Sequence, residues 1–150
     1  MAQRLSFTPP DQARIVIDAT MLDVRAGLAD LMACPLVHGL SEDCLSTTEI
    51  VLAEALNNVV EHAYARFTGK IEVELQRGPD QLRFHIKDKG LPMPGAEPPA
   101  GNPPYVGSLD DLPEGGFGWF LIRTLSRDLE YRREGELNLL SFGVRLHNAA

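Results

Sequence analysis

The stretch "EALNNVVEHAY", Glu54 to Tyr64, decides how the chain is read, because it places Glu54, Asn57, Asn58 and His62 in a segment with helical apolar spacing. A helical residue turns about 100°, so Glu54, Asn58 and His62 drift only about 40° per step, while Leu56 points about 200° away from Glu54. A solvated helix face accounts for such a stripe on periodicity alone. Two adjacent asparagines fit that reading poorly, since asparagine competes for backbone hydrogen bonds and weakens helices. On this stretch alone, both a solvated face and a ligand-facing one stay open.

Working outward, Ser41 or Ser46 marks the start of this second helix, Ser46 forming a capping box with Glu49, and Leu45, Leu52, Leu56, Val59 and Ala63 supply its apolar face. Its end is expected near Thr68, with Gly69 as the stop. Upstream, after a short strand-like start, Ala13 to Ala19 is rich in β-branched residues and reads as a strand. Thr20 with Asp23 then opens a first helix reaching about Cys34, ahead of Pro35. Downstream, Ile71, Val73 and Leu75, then Leu82, Phe84 and Ile86, alternate with polar residues on either side of Gly78-Pro79-Asp80. This pattern predicts a hairpin with one face on the core.

From Leu91 to Gly116 the chain carries seven of its eleven prolines, interleaved with glycines. At about 25 residues this span exceeds the usual 12–15 of an unstructured connection, which predicts a functional lid. Beyond it, Phe117, Phe120, Leu121, Thr124 and Leu125 follow helical spacing. Strand-like runs at Leu129 to Arg132 and Leu140 to Leu146 are joined by Glu134-Gly135-Glu136.

The chain of 150 residues suits one domain spanning 1–150, and 44% apolar with 23% charged residues is the composition of a folded globular protein. A formal charge of -7 repels phosphate backbones and argues against direct nucleic-acid binding. No apolar run approaches the roughly 20 residues that span a bilayer, and "MAQRLSFTPP" lacks a signal-peptide core, so a cytoplasmic protein without membrane contact is expected. Cys34 and Cys44 form no Cys-x-x-Cys pair and read as half-buried thiols. Cys34 with His38 offers too few ligands for zinc.

Two further units could carry chemistry. Asp88 and Gly90 sit where a strand gives way to the lid: a carboxylate there can accept from an exocyclic amine, and a glycine lets a flat ring approach the backbone, although Asp and Gly are also ordinary turn residues. Gly115-Gly116-Phe117-Gly118 precedes a helix, where free amides and the helix dipole suit phosphate, though a hinge would look the same.

Taken in order, Glu54-x-x-x-Asn58-x-x-x-His62, Asp88-x-Gly90, a long lid and Gly116-x-Gly118 resemble the ATP-binding fold shared by gyrase, heat-shock chaperone, histidine kinase and mismatch-repair ATPases. Within it, "AEALNNVVEHAY" and "GGFGWFLI" look like the small anti-sigma-factor serine/threonine kinases of bacteria. The resemblance implies an α/β two-layer sandwich of the Bergerat type, with a mixed, mostly antiparallel sheet and helices on one face. It implies ATP and Mg2+ as cofactors, Asn58 as the metal ligand and Glu54 as the general base. Asp88 would read the adenine amine, Gly90 would lie against the base, and Gly116 and Gly118 would admit phosphate. His62 is expected to be a satisfied helix-face histidine. The implied activity is phosphorylation of an anti-sigma-factor antagonist by a homodimer that also binds a sigma factor, and thereby regulates transcription.

The alternative is a non-catalytic, ATP-sensing binding module. It is favoured by the span between Leu91 and Gly118, which has acidic residues but no Lys or Arg, leaving Arg123, Lys87 or Lys89 to supply a cation. Asn138-Leu139-Leu140-Ser141 stands where many relatives have Gly-Thr, and no ligand is assigned there.

Overall fold

The structure, a computed structural model, describes residues 5–8, 11–99 and 117–146. Six strands form one sheet: β1 (Leu5–Thr8), β2 (Gln12–Asp18), β3 (Lys70–Arg77), β4 (Gln81–Asp88), β5 (Arg127–Glu134) and β6 (Leu137–Arg145). Their order is β1-β2-β3-β4-β6-β5, and every pairing is antiparallel, so the mixed component expected from the sequence does not occur among the described residues. Strand alternation sends Ile15, Ile17, Val73, Leu75, Phe84, Ile86 and Phe142 to one buried face, as a half-covered antiparallel sheet requires. The other face carries charge: Arg14 pairs with Glu72, and Lys87 with Glu74.

The buried face is covered by α1 (Met21–Met32), α2 (Glu42–Asn58) and α3 (Phe117–Leu125), with α1 against β2, α2 against β6 and α2 between its two neighbours. This is the two-layer α/β sandwich expected. Phe84 and Phe142, cross-strand partners, stack with centroids 5.4 Å apart, a contact contributing about 0.5–1.5 kcal/mol beyond area burial.

Helix starts follow local chemistry. Thr20 caps α1 by accepting from the Asp23 amide at 3.0 Å. Of the two serines considered for α2, Ser41 is the cap, accepting from the Cys44 amide at 3.1 Å, with Glu42 and Asp43 in the first turn favouring the helix dipole. Starting there lets buried Leu40 and partly buried Leu45 flank the cap within the core, the arrangement of a hydrophobic staple.

The end of α2 departs from expectation. A π-helical turn, Val59–Ala63, follows Asn58, and Tyr64 leaves helical geometry, well before Thr68. The cause is the tyrosine itself. Its ring packs against Gly69, and its hydroxyl donates to the Lys70 carbonyl at 2.7 Å and accepts from the Lys89 amide at 2.9 Å. Gly69 is therefore a packing position, not the helix stop.

Each hairpin strand begins one residue earlier and ends two residues later than the sequence indicates, and the turn is closed by the Gly78 amide donating to the Gln81 carbonyl at 2.8 Å. The two cysteines are free and fully buried rather than half-buried; burial raises the Cys34 pKa. Among the described residues no group of three or more His, Cys, Asp or Glu is placed to hold a metal ion, and no helix is long and apolar enough to cross a membrane.

Candidate functional site

The Glu54–Asn58 stripe of α2 does not face open solvent. Both residues are half-buried, and Leu56 on the opposite side is fully buried. What covers the stripe is the first turn of α3: a Cβ added at Gly118 would lie 2.5 Å from Glu54 Oε2 and 3.6 Å from Asn58 Nδ2. The third helix approaches this closely only because residue 118 has no side chain. Asn58 Nδ2 is buried without a hydrogen-bond partner, although buried polar atoms are nearly always paired. His62 is exposed on the π-helical turn.

Asp88 ends β4 on the buried face, 5% exposed. Its Oδ1 accepts from the Gly90 amide at 2.8 Å and from Asn138 Nδ2 at 2.7 Å. Burial raises the Asp88 pKa, and the hydrogen bonds from Asn138 and Gly90, with the nearby Arg133 charge, pull it back in part. Gly90 has no room for a side chain, since a Cβ there would meet the Ala63 carbonyl oxygen and stand 2.6 Å from its carbonyl carbon. The same carbonyl accepts from the Leu91 amide at 2.7 Å, so the π-helical turn grips the root of the lid. π-Turns recur at functional positions.

Three residues unassigned by sequence reasoning complete this corner. Asn138 on β6 is the register partner of both Asp88 on β4 and Arg133 on β5, giving a row Asp88, Asn138, Arg133 across three strands. Arg133 Nη1 donates to the Gly90 carbonyl at 2.7 Å and to Asn138 Oδ1 at 3.1 Å, and Tyr131 donates its hydroxyl to the same Oδ1. No local motif marks these residues; only the strand register brings them together.

The candidate cations fall elsewhere. Lys87 pairs with Glu74 on the outer face of the sheet at 3.9 Å, and Arg123 donates to the carbonyls of Pro99 and Pro98 at 2.7 and 2.9 Å. Lys89 is exposed. Gly116, and the lid from residue 100 onward, lie outside the described residues.

Helix-borne carboxylate and amide, buried strand-end carboxylate and lid-root glycine occur in the order the motifs demand. Along the sequence, the histidine kinase-like ATPase domain family matches residues 17–143. The chain belongs to that family. Within the reach of this family assignment, it is similar to curated serine-protein kinases named RsbW. That of Bacillus cereus strain Q1 is 29% identical over 92% of this chain and 82% of the relative. Those of Bacillus mycoides strain KBAB4 and Bacillus thuringiensis subsp. konkukian strain 97-27 are 28% and 29% identical over the same shares. The resemblance noted from three short motifs thus extends along nearly the whole chain.

The donor set fits the cofactors implied. The half-buried Asn58 amide beside the first turn of α3 offers one oxygen ligand next to its unpartnered Nδ2, the sparse oxygen-donor set that suits Mg2+, which takes most of its ligands from phosphate and water. The Asp88 carboxylate, with both protein donors on Oδ1, keeps Oδ2 available as an acceptor.

Proposed function

We propose that the chain is an ATP-dependent serine/threonine protein kinase of the anti-sigma-factor type. The observation that carries this is the close approach of the Gly118 backbone to Glu54 and Asn58, which gathers a carboxylate and an amide with an unpartnered Nδ2 beside the first turn of a helix. The similarity to proteins named serine-protein kinases supports the reaction type.

Phosphoryl transfer rests on positioning and charge neutralisation more than on covalent chemistry by the protein. In the proposed mechanism Asp88 Oδ2 accepts from the adenine amine, and Gly90 leaves space for the ring. Asn58 would hold Mg2+ through its side-chain oxygen, the ion supplying neutralisation of phosphate oxygen charge, and Gly116 and Gly118 would leave room for phosphate. Glu54 orients the acceptor serine, whose hydroxyl oxygen attacks the terminal phosphorus. The serine proton passes to the Glu54 carboxylate, the bond to the bridging oxygen breaks, and ADP leaves. The acceptor is a serine or threonine of an anti-sigma-factor antagonist, and the second partner is a sigma factor. The kinase acts as a cytoplasmic homodimer without direct contact to nucleic acid, consistent with its charge of -7.

The rival, an ATP-sensing module without transfer, is favoured by Arg123 being engaged with Pro98 and Pro99 while Lys87 faces away, which leaves few cations for the terminal phosphate. Incubation with ATP, Mg2+ and a candidate antagonist separates the two. Phosphoserine formed by the native chain and lost in Glu54→Ala, with ATP binding retained, supports the kinase. ATP binding without any phosphoserine leaves the module. Calorimetric titration showing no ATP binding to the native chain, or equal binding to Asp88→Ala, overturns both.

A further inference from the structure

The amide of Asn138 is 4% exposed, and its environment dictates its orientation. Around Nδ2 stand only acceptors: Asp88 Oδ1 at 2.7 Å, the Leu91 carbonyl at 2.9 Å and, more distantly, the Gly90 carbonyl at 3.4 Å. Around Oδ1 stand Arg133 Nη1 at 3.1 Å, which can only donate, and the Tyr131 hydroxyl, which accepts from the Met93 amide and donates its own proton here. A flipped amide would set oxygen against carboxylate and nitrogen against guanidinium. Arg133 and Tyr131 thus oblige Asn138 to donate to Asp88.

That constraint reaches the ligand side of the carboxylate. With Oδ1 receiving two donors, Asp88 stays an acceptor at Oδ2, which matches an amino group and opposes a keto oxygen. Were Asn138 free to turn, its oxygen would face Asp88 and favour the protonated acid, which can donate to a keto group.

We propose that Tyr131 and Arg133, on the edge strand β5, are positioning residues that set the selectivity of the Asp88 site for an amino-purine nucleotide over a keto-purine one. This rests on the nucleotide reading of the site above. The network continues to the lid root, where the Met93 amide donates to the Tyr131 hydroxyl at 3.0 Å and Arg133 holds the Gly90 carbonyl. A chain of this kind, Met93 to Tyr131 to Asn138 to Asp88, polarises each member in turn.

Among the ionisable groups around Asp88, Arg133 lies across the row from it on β5, Tyr131 reaches the same Asn138 oxygen, and Tyr64 comes from the turn after the π-helix. Lys70 opens the neighbouring strand, Lys87 shares its strand but pairs on the outer face, and Lys89 is exposed. Arg133 is the charge that lowers the Asp88 pKa against burial, and Asp88 in turn helps to raise that of Tyr64.

The test uses the full chain and the variants Arg133→Met, Arg133→Lys and Tyr131→Phe. In ligand-free protein, carbon-detected NMR of the Asp88 carboxyl is expected to show a titration midpoint raised in Arg133→Met and closer to native in Arg133→Lys. Calorimetry with ATP and with GTP is expected to show the ATP preference of the native chain falling by about tenfold in Arg133→Met and in Tyr131→Phe. Equal loss of affinity for both nucleotides, at an unchanged Asp88 midpoint, would reduce the pair to a structural brace and overturn the proposal. Native protein that prefers ATP, with variants of unaltered preference, overturns it alone; native protein that binds neither nucleotide overturns the site reading along with it. Tyr131→Phe deletes a single oxygen and keeps the test open should Arg133→Met fail to fold.

Discussion

At the scale of single residues, Asp88 and the two close-packed glycines make opposite demands on stability and function. Burial raises the Asp88 pKa, so the folded protein disfavours the ionised carboxylate. The sign follows from linkage: the ionised group costs stability at pH above its folded pKa, and the cost fades as pH falls through that value. Replacing Asp88 by Asn keeps an acceptor for Gly90 and Asn138 and removes the charge. Thermal unfolding of Asp88→Asn at pH 8 is expected at or above the native temperature, with ATP affinity down by at least tenfold, or about 1.4 kcal/mol. In the native chain ATP binding is expected to weaken on acidification, beginning above the pH at which an ordinary aspartate, with a pKa of about 3.9, would titrate. Calorimetric titrations across pH 5 to 8 measure both effects. Gly118→Ala and Gly90→Ala diverge for a geometric reason: the first Cβ meets the movable end of Glu54, the second the fixed backbone of Ala63. Gly118→Ala should leave unfolding free energy within about 0.5 kcal/mol of native while phosphoserine formation falls at least tenfold. Gly90→Ala should lose about 1–3 kcal/mol in urea denaturation.

At the scale of elements, the two ends of α2 show what sequence reveals and what it hides. The shared helix face of Glu54 and Asn58 is legible because helical spacing ties them to their own neighbours, and the strand-end position of Asp88 because alternation visibly gives way to a loop. The start of α2 was ambiguous, since Ser41 and Ser46 both carry capping chemistry, and burial of Cys44 and Leu40 decides for Ser41. Its end was not legible at all. Tyr64 breaks the helix for the sake of hydrogen bonds to Lys70 and Lys89, six and twenty-five positions away. The contacts among Asn138, Tyr131 and Arg133 are hidden for the same reason, because they depend on the register of β4, β6 and β5 and on no local pattern. The position of the cap is open to direct measurement. Ser41→Ala is expected to lower unfolding free energy by about 1 kcal/mol, whereas Ser46→Ala, inside the helix, should stay within about 0.5 kcal/mol of native. Equal losses in guanidinium denaturation would place the helix start elsewhere.

At the scale of the whole molecule, one hydrophobic cluster runs from Ile15 and Val73 through Phe84 and Phe142 to Leu52 and Leu56 of α2 and Ile122 of α3. The helix that carries Glu54 and Asn58 therefore shares its core with the strand that carries Asp88, and neither can loosen without the other. A chain built this way is expected to unfold in one calorimetric transition. A ligand that bridges α2, β4 and α3 binds only when all three are folded, so it must raise that transition as a unit. At a concentration of ATP with Mg2+ a hundredfold above the dissociation constant, the added stability is about 2.7 kcal/mol, a rise of roughly 5–10 °C for a chain of this size. Asp88→Asn should unfold in the same single transition and show no more than about half of the rise, since a tenfold weaker affinity leaves about 1.4 kcal/mol at the same concentration. Scanning calorimetry that resolved two transitions, with only one moved by nucleotide, would mean that the two halves of the proposed site fold separately, and the shared core would not be what holds Glu54, Asn58 and Asp88 in register.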